Sequence, residues 1–146
     1  NKREEVHVSL DRESRHPGYR LGRLFAELEN AQRLALGNVN APIKDRYFGA
    51  ASATPASVFP LLLRGVQSHI SKLRKEGKGG LAHTVDTEIA EIVEGLDEQL
   101  PRSLRIQDQG QFAIGYYHQS HARFARKKDA PAAATADDDN DKGDDA

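Results

Sequence analysis

The chain has no cysteine among its 146 residues, which excludes disulfide bonds and thiolate metal sites. No apolar run approaches the ~20 residues that a helix needs to cross a bilayer. The charged start, residues 1–10, lacks the apolar core of a secretory signal peptide. Together with a length typical of one domain, these absences predict a single cytoplasmic domain that does not contact a membrane.

Motifs for nucleotide binding and acyl transfer are missing as well. Gly77-Lys78-Gly79-Gly80 superficially resembles a phosphate-binding loop, but no predicted strand precedes it and no Ser or Thr follows the lysine. A flexible link between two helices is therefore the favoured interpretation. The chain has neither a Gly-x-Ser-x-Gly elbow nor a thiol nucleophile. Lys44 and Asp45 are consecutive, and neighbours on a helix do not face each other, so they do not form a catalytic pair.

Two further groups of titratable residues have ordinary explanations. His118 and His121 are three residues apart, but no third histidine or carboxylate lies close in sequence, so a structural role is favoured over a metal site. An acidic run has the spacing of an exposed helix face: Glu88, Glu91, Glu94, Asp97 and Glu98. We therefore expect no enzymatic activity, no metal and no cofactor.

Charge is distributed unevenly along the chain. From Asp129 onward there are seven aspartates and one lysine, a net charge of −6, whereas residues 1–128 carry 20 basic and 15 acidic residues, a net charge of +5. The tail has no large apolar residue to offset the entropy of ordering, so it is predicted to be disordered. The body is moderately basic, which is typical of proteins that approach nucleic acid.

Apolar residues recur at intervals of three and four along most of the body, which predicts helices. The predicted helices run from about Tyr19 to Leu36, Ile43 to Phe48, Pro55 to Lys75, His83 to Gln99, and Ser103 to Arg126. Short links favour antiparallel packing of neighbours. The predicted fold class is all-α, a compact bundle of about five helices. It covers residues 18–128, between a charged arm, residues 1–17, and the disordered acidic tail, residues 129–146.

Basic residues cluster on the first predicted helix, on the third helix and its exit, and at the end of the last helix. Phosphate backbones attract such groups through charge alone, without reading sequence. Four aromatic residues could add stacking surfaces for bases: Tyr47, Phe48, Tyr116 and Tyr117. The alternative is an ordinary charged surface with the aromatic rings in the core, and a net charge of +5 does not decide between the two.

Three stretches of sequence carry a family resemblance. They are YRLGRLFAELENAQ (19–32), IKDRYFGAASATPASVF (43–59) and QGQFAIGYYHQ (109–119). Together they resemble the C-terminal helical region of the large subunit of type I-C (Dvulg subtype) CRISPR complexes. The resemblance extends over about residues 18–124 and is weakest in the arm and the tail.

The resemblance implies a role. In that family the same region is also made as a separate small subunit, by translation from within the large-subunit gene, and this chain is similar to that product. Such subunits line a crRNA-guided Cascade complex, in contact with the large subunit, the backbone subunits and further copies of themselves. They stabilise the complex and its R-loop by binding the displaced non-target DNA strand. They are not nucleases, since a recruited helicase–nuclease cleaves the target.

Eight basic residues are the predicted phosphate contacts of this DNA-binding surface. They are Arg20, Arg23, Lys44, Arg46, Arg64, Lys72, Arg74 and Arg123. Leu24, Phe25 and Phe48 are predicted to lie in the core, whereas Tyr116, Tyr117 and His118 are left open between packing and binding.

A second function remains open at this point, that of a purely structural interaction module without direct DNA contact. Replacing Arg64, Lys72 and Arg74 together by Ala separates the two, because only a DNA-binding subunit should lose DNA affinity. The acidic tail is expected to compete with DNA for the basic surface.

Overall fold

Five α-helices make up most of the chain in a computed structural model that describes residues 9–37 and 42–129, with only the backbone of residues 124–129. They are α1 (Pro17–Leu36), α2 (Ile43–Ala53), α3 (Pro55–Lys75), α4 (Gly79–Glu94) and α5 (Ile106–Asp129). No strand occurs within those ranges. The predicted all-α bundle is confirmed.

Helix α1 begins at the His-Pro-Gly sequence that predicts a turn. The Gly18 amide donates to His16 Nδ1 at 3.0 Å, which caps the helix, and Pro17 occupies a first-turn position where its missing N–H is not needed. The helix ends at Gly37, whose φ of +74° suits a residue without a Cβ. The start therefore lies two residues before the predicted one.

Helices α2 and α3 are separated by a single residue, Thr54. Helix α2 continues past Gly49 to Ala53, five residues beyond the predicted end. It stops there because the residue before a proline is pushed towards extended backbone, and Thr54 before Pro55 has φ −135° and ψ 72°. The sequence Thr54-Pro55 predicts a side-chain cap at the start of α3, but the Thr54 hydroxyl donates back to the Ala50 carbonyl instead.

Helix α4 is displaced toward the N-terminus relative to its predicted position. Gly77, with φ +80°, reverses the chain after α3, and α4 begins already at Gly79. It ends at Glu94 beside Gly95, so the apolar residues Leu96 and Leu100 pack on the core from the connection to α5. Their helix-like spacing is why the predicted helix extended to Gln99.

The core surrounds α1, which contacts the other four helices and packs most extensively against α5. Leu24 and Phe25 are fully buried, as predicted, and Phe48 is partly buried against the same cluster. The Phe25 ring lies 5.6 Å from the Phe48 ring and 5.9 Å from the Phe112 ring, both in edge or tilted geometry. Each such buried side chain contributes roughly 1.5–3 kcal/mol to folding.

Two glycines let α1 and α5 approach each other. A Cβ at Gly22 would lie 2.0 Å from the Phe112 carbonyl oxygen, and a Cβ at Gly115 would lie 2.1 Å from the Tyr19 carbonyl oxygen. The small residues of the last helix, Gly110 and Gly115, predict close helix packing there. Gly115 makes such a contact, whereas a Cβ at Gly110 would have no neighbour within 4 Å.

The two predicted end segments fall largely outside the described residues. Residues 1–8 of the arm and residues 130–146 of the acidic tail are not among them. None of the helices within the described ranges is both long and apolar enough to cross a membrane.

Candidate nucleic-acid interface

Arg23, one of the eight predicted phosphate contacts, lies at the centre of a buried polar network between α1, α4 and α5. Its side chain is 0% exposed. The Nε atom donates to Gln119 Oε1 at 2.8 Å, and Nη2 donates to Glu91 Oε1 at 3.0 Å, with Glu88 Oε2 at 3.5 Å. The guanidinium joins three helices.

Arg20 takes part in the same region one helical turn earlier. It is 3% exposed, and its Nε and Nη2 donate to the Ile92 and Glu91 carbonyls, whereas Nη1 donates to the Ser14 carbonyl at 2.9 Å. Gly95 makes room for it, because a Cβ there would lie 2.3 Å from the guanidinium carbon. Arg20 therefore fixes the end of α4 and the segment before α1.

Glu88 anchors the α4 side of this network. Burial raises the pKa of its carboxyl, but the hydrogen bond from Gln119 and the charges of Arg12 and Arg23 outweigh burial, so its pKa lies below the ordinary value. The Arg12 guanidinium is 2.9 Å away, and Gln119 Nε2 donates at 2.7 Å. Arg12 is a structural residue that sequence reasoning missed, since it belongs to the charged arm.

Arg123 approaches the network from the far end of α5. Its Nη1 lies 3.8 Å from the buried Glu27 carboxylate, and only 13% of its side chain is exposed. Burial lowers the pKa of its guanidinium, against the nearby Glu27 charge. Arg123 is therefore largely turned inward.

The prediction for Arg20, Arg23 and Arg123 needs correction on these grounds. Burying a guanidinium requires paired charges and hydrogen bonds, and all three side chains are engaged with partners inside the bundle. They are not presented to a phosphate in this conformation. The remaining five predicted contacts lie on α2 and α3.

Lys44, on α2, sits among aromatic rings. Its Nζ atom is 5.3 Å from the Tyr116 ring centroid, 5.4 Å from that of Tyr117 and 5.9 Å from that of Phe48. Tyr117 is 55% exposed, whereas Tyr116 is buried and donates its hydroxyl proton to Glu29, which together with burial raises the Tyr116 pKa. The half-buried Lys44 thus lies beside the exposed Tyr117 ring, while Tyr116 packs.

Arg46 repeats this arrangement on the other side of α2. Its guanidinium carbon lies 5.8 Å from the centre of the Tyr47 ring, and the residue is exposed. No carboxylate pairs with it within the ranges that the structure describes. An arginine held against an aromatic ring is suited to a phosphate beside a stacked base.

The charged residues of helix α3 are all basic. It contains no Asp or Glu over 21 residues, and four basic residues project from it. We call this surface the basic face of α3; its charged residues are Arg64, Lys72, Arg74 and Lys75. Arg64 and Lys75 lie opposite the buried stripe of the helix, which includes Val66 and Ile70, and Lys72 and Arg74 lie on either side of them.

Pairing on the basic face is sparse. Lys72 contacts Glu76, and Arg74 Nη2 lies 3.9 Å from Asp86 Oδ2. Both pairs are exposed, where ion pairs contribute little and give way easily. Arg64 and Lys75 have no acidic partner within the described part of the chain. Lys75 therefore joins the predicted contacts, although the sequence alone gave no reason to prefer it to other lysines.

The neighbouring helix has the opposite charge. Helix α4 carries four acidic residues and no Lys or Arg. Most of these carboxylates are paired, since Glu88 and Glu91 contact the internal arginines and Asp86 contacts Arg74. The exposed basic residues of these two helices therefore lie on α3 and not on α4. The net charge of the chain conceals this separation.

One member of the histidine pair, His118, contacts the segment before α1. His118 Nδ1 lies 2.8 Å from the Tyr19 hydroxyl, which also accepts a hydrogen bond from the Asp11 amide. No group of three or more potential metal ligands occurs within the described residues. His118 therefore contributes to the packing of the segment before α1.

A comparison with models of protein families identifies the family of the chain. The model for CRISPR-associated protein (Cas_Csd1) matches residues 1–124. The chain belongs to the Cas_Csd1 family. It is a CRISPR-associated protein of a type I system, as the resemblance implied. The match begins at residue 1, so it also covers the arm, residues 1–17, where the resemblance from sequence alone is weakest. No curated protein sequence matches the chain.

Proposed function

We propose that this Cas_Csd1 chain is a non-catalytic small subunit of a crRNA-guided type I-C complex, which binds the displaced non-target DNA strand and so stabilises the R-loop. Its partners are the large subunit, the backbone subunits and further copies of itself. Guide pairing selects the sequence in such complexes, so the subunit needs only a cationic surface for a single strand.

The basic face of α3 is the observation that carries this proposal. Cations in the last turn of a helix, such as Lys72, Arg74 and Lys75, also stabilise the helix dipole, which is a structural explanation for them. Arg64 lies in the middle of α3, is exposed and has no acidic partner within residues 9–37 and 42–123, so that explanation does not apply to it. The absence of acid from the whole helix favours a polyanionic ligand.

The aromatic and cationic pairs on α2 support the same function. Lys44 beside the exposed Tyr117, and Arg46 beside Tyr47, place a charge next to a ring, as surfaces for single strands do. Duplex DNA keeps its bases stacked inside, so the exposed Tyr117 ring favours a single strand.

The alternative is a structural module that joins subunits without touching DNA. Exposed apolar side chains such as Ile106, 78% exposed, and Ile114 are consistent with contacts to other subunits. The two functions differ in their response to salt, because phosphate binding weakens steeply as salt rises.

The test is target-DNA binding by the guide-RNA complex, assembled without the chain, with it, or with Arg64→Ala/Lys72→Ala/Arg74→Ala, across a salt series. The slope of log affinity against log salt changes by about 0.7 for each single-strand phosphate contact, so the triple variant should flatten it by about 2.

The matched control is Arg15→Ala/Arg102→Ala/Arg105→Ala, which removes the same charge from exposed residues outside α3. It should leave the slope almost unchanged. Equal slopes for the parent and the α3 variant, with assembly intact, would favour the structural module.

A further inference from the structure

A groove runs along the edge of the basic face, between α1, α2 and α3. It has a cavity volume of about 200 Å³. Ile43 and Tyr47 of α2 form one wall, Leu61, Gly65 and His69 of α3 form the other, and Leu28 of α1 lies at the floor. The Leu61 side chain remains 46% exposed, and a Cβ at Gly65 would have no neighbour within 4 Å.

Cationic residues border the groove. The wall residues of α3 are four residues apart along the chain: Leu61, Gly65 and His69. A second row, Arg64, Ser68 and Lys72, follows the first at an offset of three residues. Residues three apart are neighbours on a helix surface, so the second row borders the groove. On α2, Arg46 lies against the Tyr47 ring. The groove is therefore apolar inside and basic at its rim.

We infer that this groove receives an unpaired base of a single strand whose phosphates follow Arg64 and Lys72. The inference rests on the proposed function and adds the part of the ligand that the groove recognises. A base has a flat face that stacks on apolar and aromatic groups, and in a single strand it is always attached to an anionic backbone.

The charge of the rim favours a base over an apolar side chain of a protein. An apolar protein segment gains nothing from Arg46 and Arg64, whereas a nucleotide engages the groove and the rim together. Pockets for drug-sized ligands begin at about 300 Å³. The groove is smaller than that, so it has room for one ring system.

His69 adds polar recognition within the groove. Burial lowers its pKa, so the ring is neutral near pH 7, where one nitrogen donates a hydrogen bond and the other accepts one. Stacking on Tyr47 is tolerant of sequence, as expected when guide pairing already selects the target.

Gly65→Leu is the variant that tests the groove. It fills open space and replaces a glycine within a helix, so it should leave the fold intact or stabilise it. Gly110→Leu is the matched control, because Gly110 also has open space around it on a helix and lies outside the groove.

The assay is an NMR titration of the full chain with two probes of equal phosphate number, dT10 and an abasic ten-residue strand. We expect both probes to shift the amides of Arg64 and Lys75, and only dT10 to shift those of Tyr47, Gly65 and His69. Gly65→Leu should lower the affinity for dT10 about tenfold, to that for the abasic strand, while Gly110→Leu should have no effect.

Three outcomes would overturn the inference. If both probes shift the basic face equally and neither shifts the groove, the proposed function stands without a base site. If neither probe binds at millimolar concentration, the proposed function and the inference fail together. If Gly65→Leu leaves dT10 binding unchanged but prevents assembly with the other subunits, the occupant of the groove is a protein side chain.

Discussion

Replacing Arg23 by Met separates its structural role from the DNA contact that the sequence predicts. Met keeps the length of the apolar stem and removes the guanidinium. If Arg23 is a strut between helices, Arg23→Met lowers the free energy of unfolding. If it is a phosphate contact, the variant loses DNA affinity and keeps its stability.

The contacts of Arg23 give the size of the effect. Gln119 Oε1, 2.8 Å from Nε, is buried and would lose its donor, which costs about 1–3 kcal/mol. Removing one member of a buried charge pair costs about 3–5 kcal/mol. Glu88 keeps Arg12 at 2.9 Å, and Glu91 is 41% exposed and can regain water, so the expected loss is at the lower end, about 3 kcal/mol.

Urea unfolding followed by far-ultraviolet circular dichroism measures this loss directly, and a melting temperature lower by roughly 10 °C should accompany it. Arg64→Met is the matched control. The same change at an exposed side chain without a partner should alter stability by less than about 0.5 kcal/mol. Equal stability of the two variants, with weaker DNA binding by Arg23→Met, would refute the structural assignment.

Two further predictions concern the bundle. Gly115→Ala should destabilise the bundle by about 1–3 kcal/mol, because the new Cβ meets the Tyr19 carbonyl. Gly110→Ala on the same helix should stabilise it by up to about 1 kcal/mol. Similar unfolding midpoints for the two variants would contradict the close contact of α1 with α5. Stability should also fall in two steps on acidification. The His69 pKa is lowered from 6.5, so its contribution, complete above that value, is lost as the pH falls from 6.5 to the folded pKa. The Glu88 pKa is lowered from 4.5, so its contribution is lost as the pH falls below 4.5 through the folded pKa. Unfolding curves at a series of pH values should show both steps in the parent chain and only the second in His69→Gln; equal stability from pH 7 to pH 3 would contradict both assignments.

The helices were predictable because apolar periodicity reports which face of a segment is covered. It located α1 and α3 to within two residues, and it misplaced the end of α4 because Leu96 continues the spacing while packing from a loop. Periodicity cannot show that a helix is surrounded on all sides. Helix α1 is, so Arg20 and Arg23, which lie off its main apolar stripe, are buried by α4 and α5 rather than exposed.

A signal for that burial was nevertheless in the sequence. Gly18 and Gly22 are four residues apart on α1, which marks a side where another helix comes close, and Arg23 directly follows the second of them. Glu88 and Glu91, three apart on a helix without cations, needed positive partners from elsewhere. A basic residue beside a glycine-marked helix contact is therefore a candidate for an internal ion pair.

The same reasoning identifies which arginines are candidates for DNA. Helix α3 has one apolar stripe, no glycine in close contact with another helix, and no carboxylate, so its cations have no internal site to occupy. Arg64 has no acidic partner among the residues that the structure describes, so its five donors are available to water or to an external anion. A Lys in its place would keep the charge but lose the bidentate geometry for phosphate. Arg64→Lys should accordingly weaken single-strand binding less than Arg64→Ala, with the same stability for both, and equal losses of affinity would indicate that planar donor geometry, rather than charge alone, holds the phosphate.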